Sequence, residues 1–145
     1  MRAVIALGSN LGDRESNIQE AVERLSKYFE VQKVATPITT DPVGYIDQPD
    51  FLNTVLIVDS DYSSLETLRI LLTIENEMGR VREIHWGPRN IDIDLITYGQ
   101  EILNTDELTL PHPRAHERAF VLTPWHEIDP DAVIPGRGRI ADLLS

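Results

Sequence analysis

Asp92 and Asp94, one residue apart in the run Trp86-Gly87-Pro88-Arg89-Asn90-Ile91-Asp92-Ile93-Asp94-Leu95-Ile96, are the side chains of this sequence best suited to chemistry. In a β-strand successive side chains point to opposite faces, so the two carboxylates share one face while Ile91, Ile93 and Leu95 share the other. Cα atoms two residues apart in a strand lie roughly 6.6 Å apart, at about 3.3 Å per residue, so both carboxylates can lean onto one Mg²⁺ or bridge two. Arg89, just upstream, could pair bidentately with phosphate oxygens, which the point charge of a lysine does less specifically. The plain alternative is a half-buried antiparallel strand with one wet face. Two unshielded carboxylates on one face repel each other, and a cation removes that repulsion. The pattern points to metal-bound polyphosphate.

Composition narrows the class. With 145 residues, 41% of them hydrophobic, the chain suits one domain with its own core. No apolar run approaches the roughly 18 residues of a membrane span, and Met1-Arg2-Ala3-Val4 leads directly into a strand pattern, not a signal peptide. A soluble protein with no membrane partner is expected. The chain has no cysteine, hence no disulfide framework and no thiolate nucleophile, which fits the cytoplasm. A net charge of −11 argues against nucleic acid as a partner, because binding a phosphate backbone needs a broad basic surface. Five of the 13 basic residues, Arg80, Arg82, Arg89, Arg114 and Arg118, nevertheless crowd around the paired aspartates. Such local positive charge can hold a small polyphosphate on an acidic protein. The same arginines could equally cover surface with their stems and pair with Glu83 and Glu117. His85, His112, His116 and His126 form no zinc pattern, and Pro113 works against a helical face shared by His112 and His116.

The elements that must position these groups follow from periodicity. Arg2 to Leu7 reads as a buried strand, broken by Gly8-Ser9-Asn10-Leu11-Gly12. That loop lacks the G-x-G-x-x-G order, and Asp13 and Glu15 put negative charge where an anion would sit, so it reads as structural. Ile18, Ala21, Val22, Leu25 and Phe29 give a helical stripe from about Asp13 to Tyr28. Phe29 to Thr40 is a second strand region interrupted by Pro37, and Phe51 to Val58 a third. Between them Asp41 to Asp50, punctuated by Pro and Gly, has the length of a binding loop or lid. Ser63-Ser64-Leu65-Glu66 is a capping box that opens a helix with the stripe Leu65, Leu68, Leu72, Ile74 or Glu75, and Met78, ending at Gly79. Arg80 to Pro88 is a second connection of lid length. After the Asp92 strand, Tyr98-Gly99-Gln100 turns into Glu101-Ile102-Leu103, Ala115 to Leu122 is helical, and Ile140 to Leu144 is a short helix. The order strand, helix, strand, strand, helix, strand predicts an α+β fold: a ferredoxin-like βαββαβ core with a mostly antiparallel sheet, helices packed on it, and extra C-terminal elements. Many functions share that plan.

Several separated blocks carry a family resemblance. They are Ala6-Leu7-Gly8-Ser9-Asn10-Leu11-Gly12-Asp13, Asp47-Gln48-Pro49-Asp50-Phe51-Leu52-Asn53, Gly79-Arg80-Val81-Arg82, Trp86-Gly87-Pro88-Arg89 through Asp94, and Leu110-Pro111-His112-Pro113-Arg114 with Glu117-Arg118-Ala119-Phe120. In this order and spacing the chain resembles the 6-hydroxymethyl-7,8-dihydropterin pyrophosphokinase family of folate biosynthesis over essentially its whole length, as one domain spanning 1–145.

The resemblance implies a monomeric cytoplasmic enzyme that moves the terminal pyrophosphoryl group of ATP to the hydroxymethyl group of 6-hydroxymethyl-7,8-dihydropterin, releasing AMP. Two Mg²⁺ would be held by Asp92 and Asp94, and no protein nucleophile is needed. No general base is evident, so deprotonation is expected to be metal-assisted. By matching positions, Arg82 and Arg89 would contact the ATP phosphates as catalytic residues, with Thr109, His112 and Arg118 also on the nucleotide and Trp86 closing over the site. Phe51 and Phe120 would sandwich the pterin ring, Asn53 would meet its donor and acceptor edge, and backbone near Thr40 and Val43 would finish that edge.

Read locally, Phe51 and Phe120 look like core, and His112 like a helix-start residue between two prolines. Asn53 differs: inside an apolar run it would cost about 1–3 kcal/mol if buried without partners, which favours a polar ligand. His85 stands where the family commonly has arginine, which implies weaker or pH-sensitive nucleotide binding, and Trp125 replaces a usual leucine. Both long connections are expected to order on ATP binding. A ferredoxin-like nucleotide-binding or sensor domain without chemistry is the alternative, though it has little use for two metal-gathering carboxylates. An RNA-binding sheet is disfavoured by charge.

Overall fold

The strands β1 (Arg2–Ser9) and β4 (Phe51–Asp59) carry apolar side chains on both faces, so they can only lie at the centre of a sheet covered on both sides. The computed structural model describes residues 1–10, 12–40, 50–79 and 91–144. In it β2 (Glu30–Val34), β4, β1 and β5 (Asp92–Tyr98) lie in that order, every pairing is antiparallel, and β3 (Ile38–Thr40) joins the outer side of β4 beside β2. With α1 (Arg14–Leu25) and α2 (Ser64–Met78) between strands, this is the predicted βαββαβ plan. Its second strand is split around Pro37, which cannot donate to a ladder.

Alternation along the strands builds two cores. On one face Ala3, Ile5, Leu7, Leu56, Val58, Ile93 and Leu95 pack against Ile18, Ala21 and Leu25 of α1 and Leu71 and Ile74 of α2. On the other Val4, Val55, Ile57 and Ile96 pack against Val121, Leu122 and Trp125 of α3 (Ala119–Ile128) and Ile140 of α4 (Ile140–Leu144). Asp13 caps α1 by accepting the Ser16 N–H at 3.1 Å. The expected capping box is present on α2: Ser63 Oγ accepts from the Glu66 N–H at 3.1 Å, and the Glu66 carboxylate accepts from the Ser63 N–H at 3.3 Å.

Four expectations need correction. Strand β1 does not break at Gly8; Gly8 and Ser9 stay paired, Gly8 between Asn53 and Asp92, because neighbours on both sides hold it in the ladder. Helix α1 stops at Leu25, after which Ser26 to Phe29 form turns. The buried stripe of α2 is Ser64, Thr67, Leu71 and Ile74, while Leu72 is 43% exposed. Ser64 and Thr67 tolerate burial because their hydroxyls are paired, Ser64 Oγ donating to Glu101 and Thr67 Oγ1 bonded to Ser60 Oγ at 2.8 Å. Finally, Ala115–Glu117 is a single 3₁₀ turn, Arg118 is extended, and α3 runs from Ala119 through Pro124 to Ile128, not from Ala115 to Leu122. Among the described residues no helix is long and apolar enough to cross a membrane.

Candidate functional site

Strand polarity brings four strand ends to one end of the sheet: the last residues of β1 and β3 and the first of β4 and β5. There Asn53, Gly8 and Asp92 form one cross-strand row, and Val55, Ala6 and Asp94 form another. With strands about 4.8 Å apart, Asn53 and Asp92 stand about 10 Å apart with only a glycine between them. Ala6 and Gly8 thus make a low floor, with Phe51 and Asn53 on one side and the two aspartates on the other. Arg118 and Phe120, at the start of α3, complete a cavity of about 190 Å³ that Thr40 also lines. The Arg118 guanidinium carbon lies 5.5 Å from the centre of the Phe120 ring, a cation–π contact.

Asn53 is 6% exposed, and its amide nitrogen donates to Thr40 Oγ1 at 2.5 Å. This bond fixes the amide orientation and leaves its oxygen and one N–H for a ligand. Thr40 thus lines the cavity and holds Asn53 through its hydroxyl. A Cβ on Gly8 would lie 2.8 Å from Asn53 Oδ1 and 3.5 Å from Phe51 Cδ1, so only glycine leaves room for that amide. Gly8 is the cavity-lining position that sequence reasoning missed, having read it as a loop residue. The available signal was a glycine at the end of an apolar strand pattern, which marks close approach of another group.

Asp92 and Asp94 are half-buried, and Ile93 and Leu95 between and beyond them are buried on the opposite face, as the alternation requires. The aspartates also line a second hollow of about 310 Å³, with Glu75 and Leu72 of α2, Thr109 of β7 (Thr109–Leu110), and His112. The carboxylate pair thus stands between two hollows. Burial pulls the His112 imidazole below its ordinary pKa; the Asp94 carboxylate opposes this, while Arg118 and Arg114 reinforce it. His112 is accordingly neutral at pH 7. Its Nδ1 accepts the Arg114 N–H at 3.2 Å, so Nε2 carries the ring proton as a donor. Glu117 lies 3.2 Å from His116, so among the described residues its close ionic neighbour is that imidazole and not an arginine.

The donor chemistry of the pair fits a hard cation. Among the described residues no three His, Cys, Asp or Glu side chains gather into a metal cage. Two carboxylates leave coordination positions for water and substrate phosphates, the way Mg²⁺ is commonly held. Thr40, Phe51, Asn53, Asp92, Asp94, Arg118 and Phe120 come together in the first cavity, and Thr109 and His112 join the aspartates in the second. Val43, Arg82, His85, Trp86 and Arg89 lie outside the described residues, as do residues 41–49 and 80–90, which hold nearly all of both expected lid connections.

Residues 4–130 match the family model for 7,8-dihydro-6-hydroxymethylpterin-pyrophosphokinase (HPPK). The 2-amino-4-hydroxy-6-hydroxymethyldihydropteridine pyrophosphokinase of Bacillus subtilis is 46% identical over 128 residues, covering 87% of this chain and 77% of that protein. Its Pseudomonas aeruginosa counterpart is 38% identical over 146 residues, covering 99% of this chain and 90% of that protein. Among solved structures, Plasmodium falciparum HPPK-DHPS with pterin and p-hydroxybenzoate superposes with a TM-score of 0.76 at 15% identity, over 98% of this chain. The chain spans 42% of that longer protein, and the likeness is one of fold.

Proposed function

The chain belongs to the 7,8-dihydro-6-hydroxymethylpterin-pyrophosphokinase family, and from that premise we propose that it transfers the terminal pyrophosphoryl group of ATP to 6-hydroxymethyl-7,8-dihydropterin in folate biosynthesis. The pterin hydroxymethyl oxygen attacks the β-phosphorus, the bond from that phosphorus to the α,β-bridging oxygen breaks, and AMP leaves as the hydroxyl proton is lost. The reaction forms no covalent enzyme intermediate, so positioning and charge stabilisation supply the rate.

Each hollow takes one substrate in this reading. The pterin lies flat over Ala6 and Gly8 between Phe51 and Phe120, its polar edge against Asn53, Thr40 and Val43. The nucleotide occupies the second hollow beside Thr109 and His112, with Arg118 reaching it from the first cavity, Arg82 and Arg89 on its phosphates, and Trp86 closing over it. Asp92 and Asp94 would hold two Mg²⁺, which when bound neutralise phosphate charge and template the in-line transfer. His112, neutral with its ring proton on Nε2, would donate to an anionic ligand in the second hollow without adding a charge. Asp92 and Asp94 are also the sole anionic bases among the described residues lining the pterin cavity. One observation carries the reading: the same two carboxylates line both hollows, which is where a group passing from one substrate to the other must travel.

The reading takes the enzyme as a monomer in a single domain, and the absence of cysteine suits the cytoplasm. His85 in place of an arginine would make nucleotide binding weaker or pH-sensitive. Incubation with ATP, Mg²⁺ and the reduced hydroxymethylpterin should yield AMP and the pterin pyrophosphate. ADP would mean ordinary kinase chemistry, and binding of ATP without turnover would favour a nucleotide-binding module.

A further inference from the structure

Among the described residues strand β5 is the edge of the sheet, pairing with β1 on one side only. Asp92 and Asp94 lie opposite Gly8 and Ala6, whereas the N–H of Ile93, between them, donates to Glu75 Oε2 at 2.8 Å. An edge strand otherwise presents its outward amides to water and can twist or fray. Here a side chain from another element takes the one outward amide that sits between the two functional carboxylates.

The dipole of α2 by itself disfavours a carboxylate at Glu75. That residue belongs to the last turn of α2, which carries no basic residue and ends in the partial negative charge of the helix. It is half-buried, and it lines the same hollow as Asp92 and Asp94. The charge-assisted bond to the Ile93 amide compensates part of that cost. Among the described residues no three acids or histidines gather around one point, and the contact that Glu75 makes is with the strand backbone.

We infer that Glu75 is a positioning residue for the transfer, holding the Asp92-Ile93-Asp94 backbone from outside the sheet so that both carboxylates keep one spacing and one direction. This rests on the reaction proposed above. Supporting groups of this kind typically change metal affinity or activity by about 10–100-fold when removed.

Glu75→Gln keeps an oxygen acceptor for the Ile93 amide and removes the charge; Glu75→Ala removes both, and Glu75→Met replaces it should the smaller side chain fail to fold. In the alanine or methionine variant, amide exchange at Ile93 in the substrate-free protein should be at least about tenfold faster. The same variant should lose about tenfold or more in kcat and need about tenfold more Mg²⁺ for half-maximal rate, with the pterin KM unchanged. The glutamine variant should recover Ile93 protection, kcat and Mg²⁺ dependence together. Wild-type kcat and Mg²⁺ dependence in the alanine variant would overturn the inference, as would a glutamine variant as impaired as alanine, which would assign the effect to charge. Mg²⁺ titration with a non-hydrolysable ATP analogue should rank the three proteins identically without turnover. Equal Mg²⁺ affinity there overturns the role of Glu75, whereas an absence of AMP from the wild type overturns the reaction.

Discussion

The two faces of β4 and β5 are built from adjacent residues and do different work. Ile93 and Leu95 are buried in the core beneath α2 and only border the second hollow, while Asp92 and Asp94, one residue away along the same backbone, are half-buried between two hollows. Along β4, Leu52 and Leu56 enter that core, and Phe51 and Asn53 line the cavity on the other face. Period-two alternation lets one rigid sheet serve both stability and chemistry, and it makes the two separable by single substitutions.

The sharpest separation is at neighbouring positions. Asp94→Ala should lower kcat by about 10²–10³-fold or more, in line with the loss of a major electrostatic stabiliser. Its denaturation midpoint should hold or rise slightly, since a like-charge neighbour is gone. Ile93→Ala should do the reverse, losing about 2–5 kcal/mol in denaturant titration through the cavity it leaves. A severe stability loss in the first or a kinetic loss without destabilisation in the second would break the division between faces.

Gly8→Ala sharpens the comparison within the site face. The added Cβ meets Asn53 Oδ1, so the pterin KM should rise about tenfold or more while the ATP KM stays within about twofold. Equal effects on both substrates would mean that Gly8 supports the sheet and not the pterin slot. His112 gives a smaller, pH-dependent effect. Its folded pKa lies below the unfolded value, so its contribution to stability is fully present above the unfolded pKa, about 6.5, and is lost as pH falls toward the folded value. Ring NMR titration should find the imidazole more than half neutral at pH 6.5, and denaturation at pH 5 should be easier than at pH 7. The smallest effect is expected at Trp125, whose buried Nε1 has no hydrogen-bond partner among the described residues. Trp125→Leu loses volume but also removes a donor that costs about 1–3 kcal/mol unpaired, so its net change should stay within about 1.5 kcal/mol.

Much of this arrangement is legible from residue types. The Ser63 to Glu66 box places the start of α2, Pro37 marks the divide between β2 and β3, and alternation alone separates Asp92 and Asp94 from the isoleucines. What is not legible depends on partners distant in the chain. The phase of α2 is hidden because Ser64 and Thr67 look like surface residues until Glu101 and Ser60 satisfy them. Gly8 resembles a strand breaker until Asn53 occupies the space above it. Phe51 and Phe120 read as core residues individually, and only the packing of α3 on β4 brings both to one cavity. The start of α3 is likewise invisible, since Arg118 is extended although helix formers follow the 3₁₀ turn before it.

The central claim is that Asp92 and Asp94 jointly gather divalent metal between a nucleotide and a pterin. A crystal structure of the complex with Mg²⁺, a non-hydrolysable ATP analogue and 6-hydroxymethyl-7,8-dihydropterin tests it most directly. Both carboxylates should lie about 2.0–2.1 Å from Mg²⁺ that also contacts the phosphates, with the ring over Gly8. Density placing the metal away from either aspartate, or the pterin outside the Phe51 and Asn53 cavity, would contradict it.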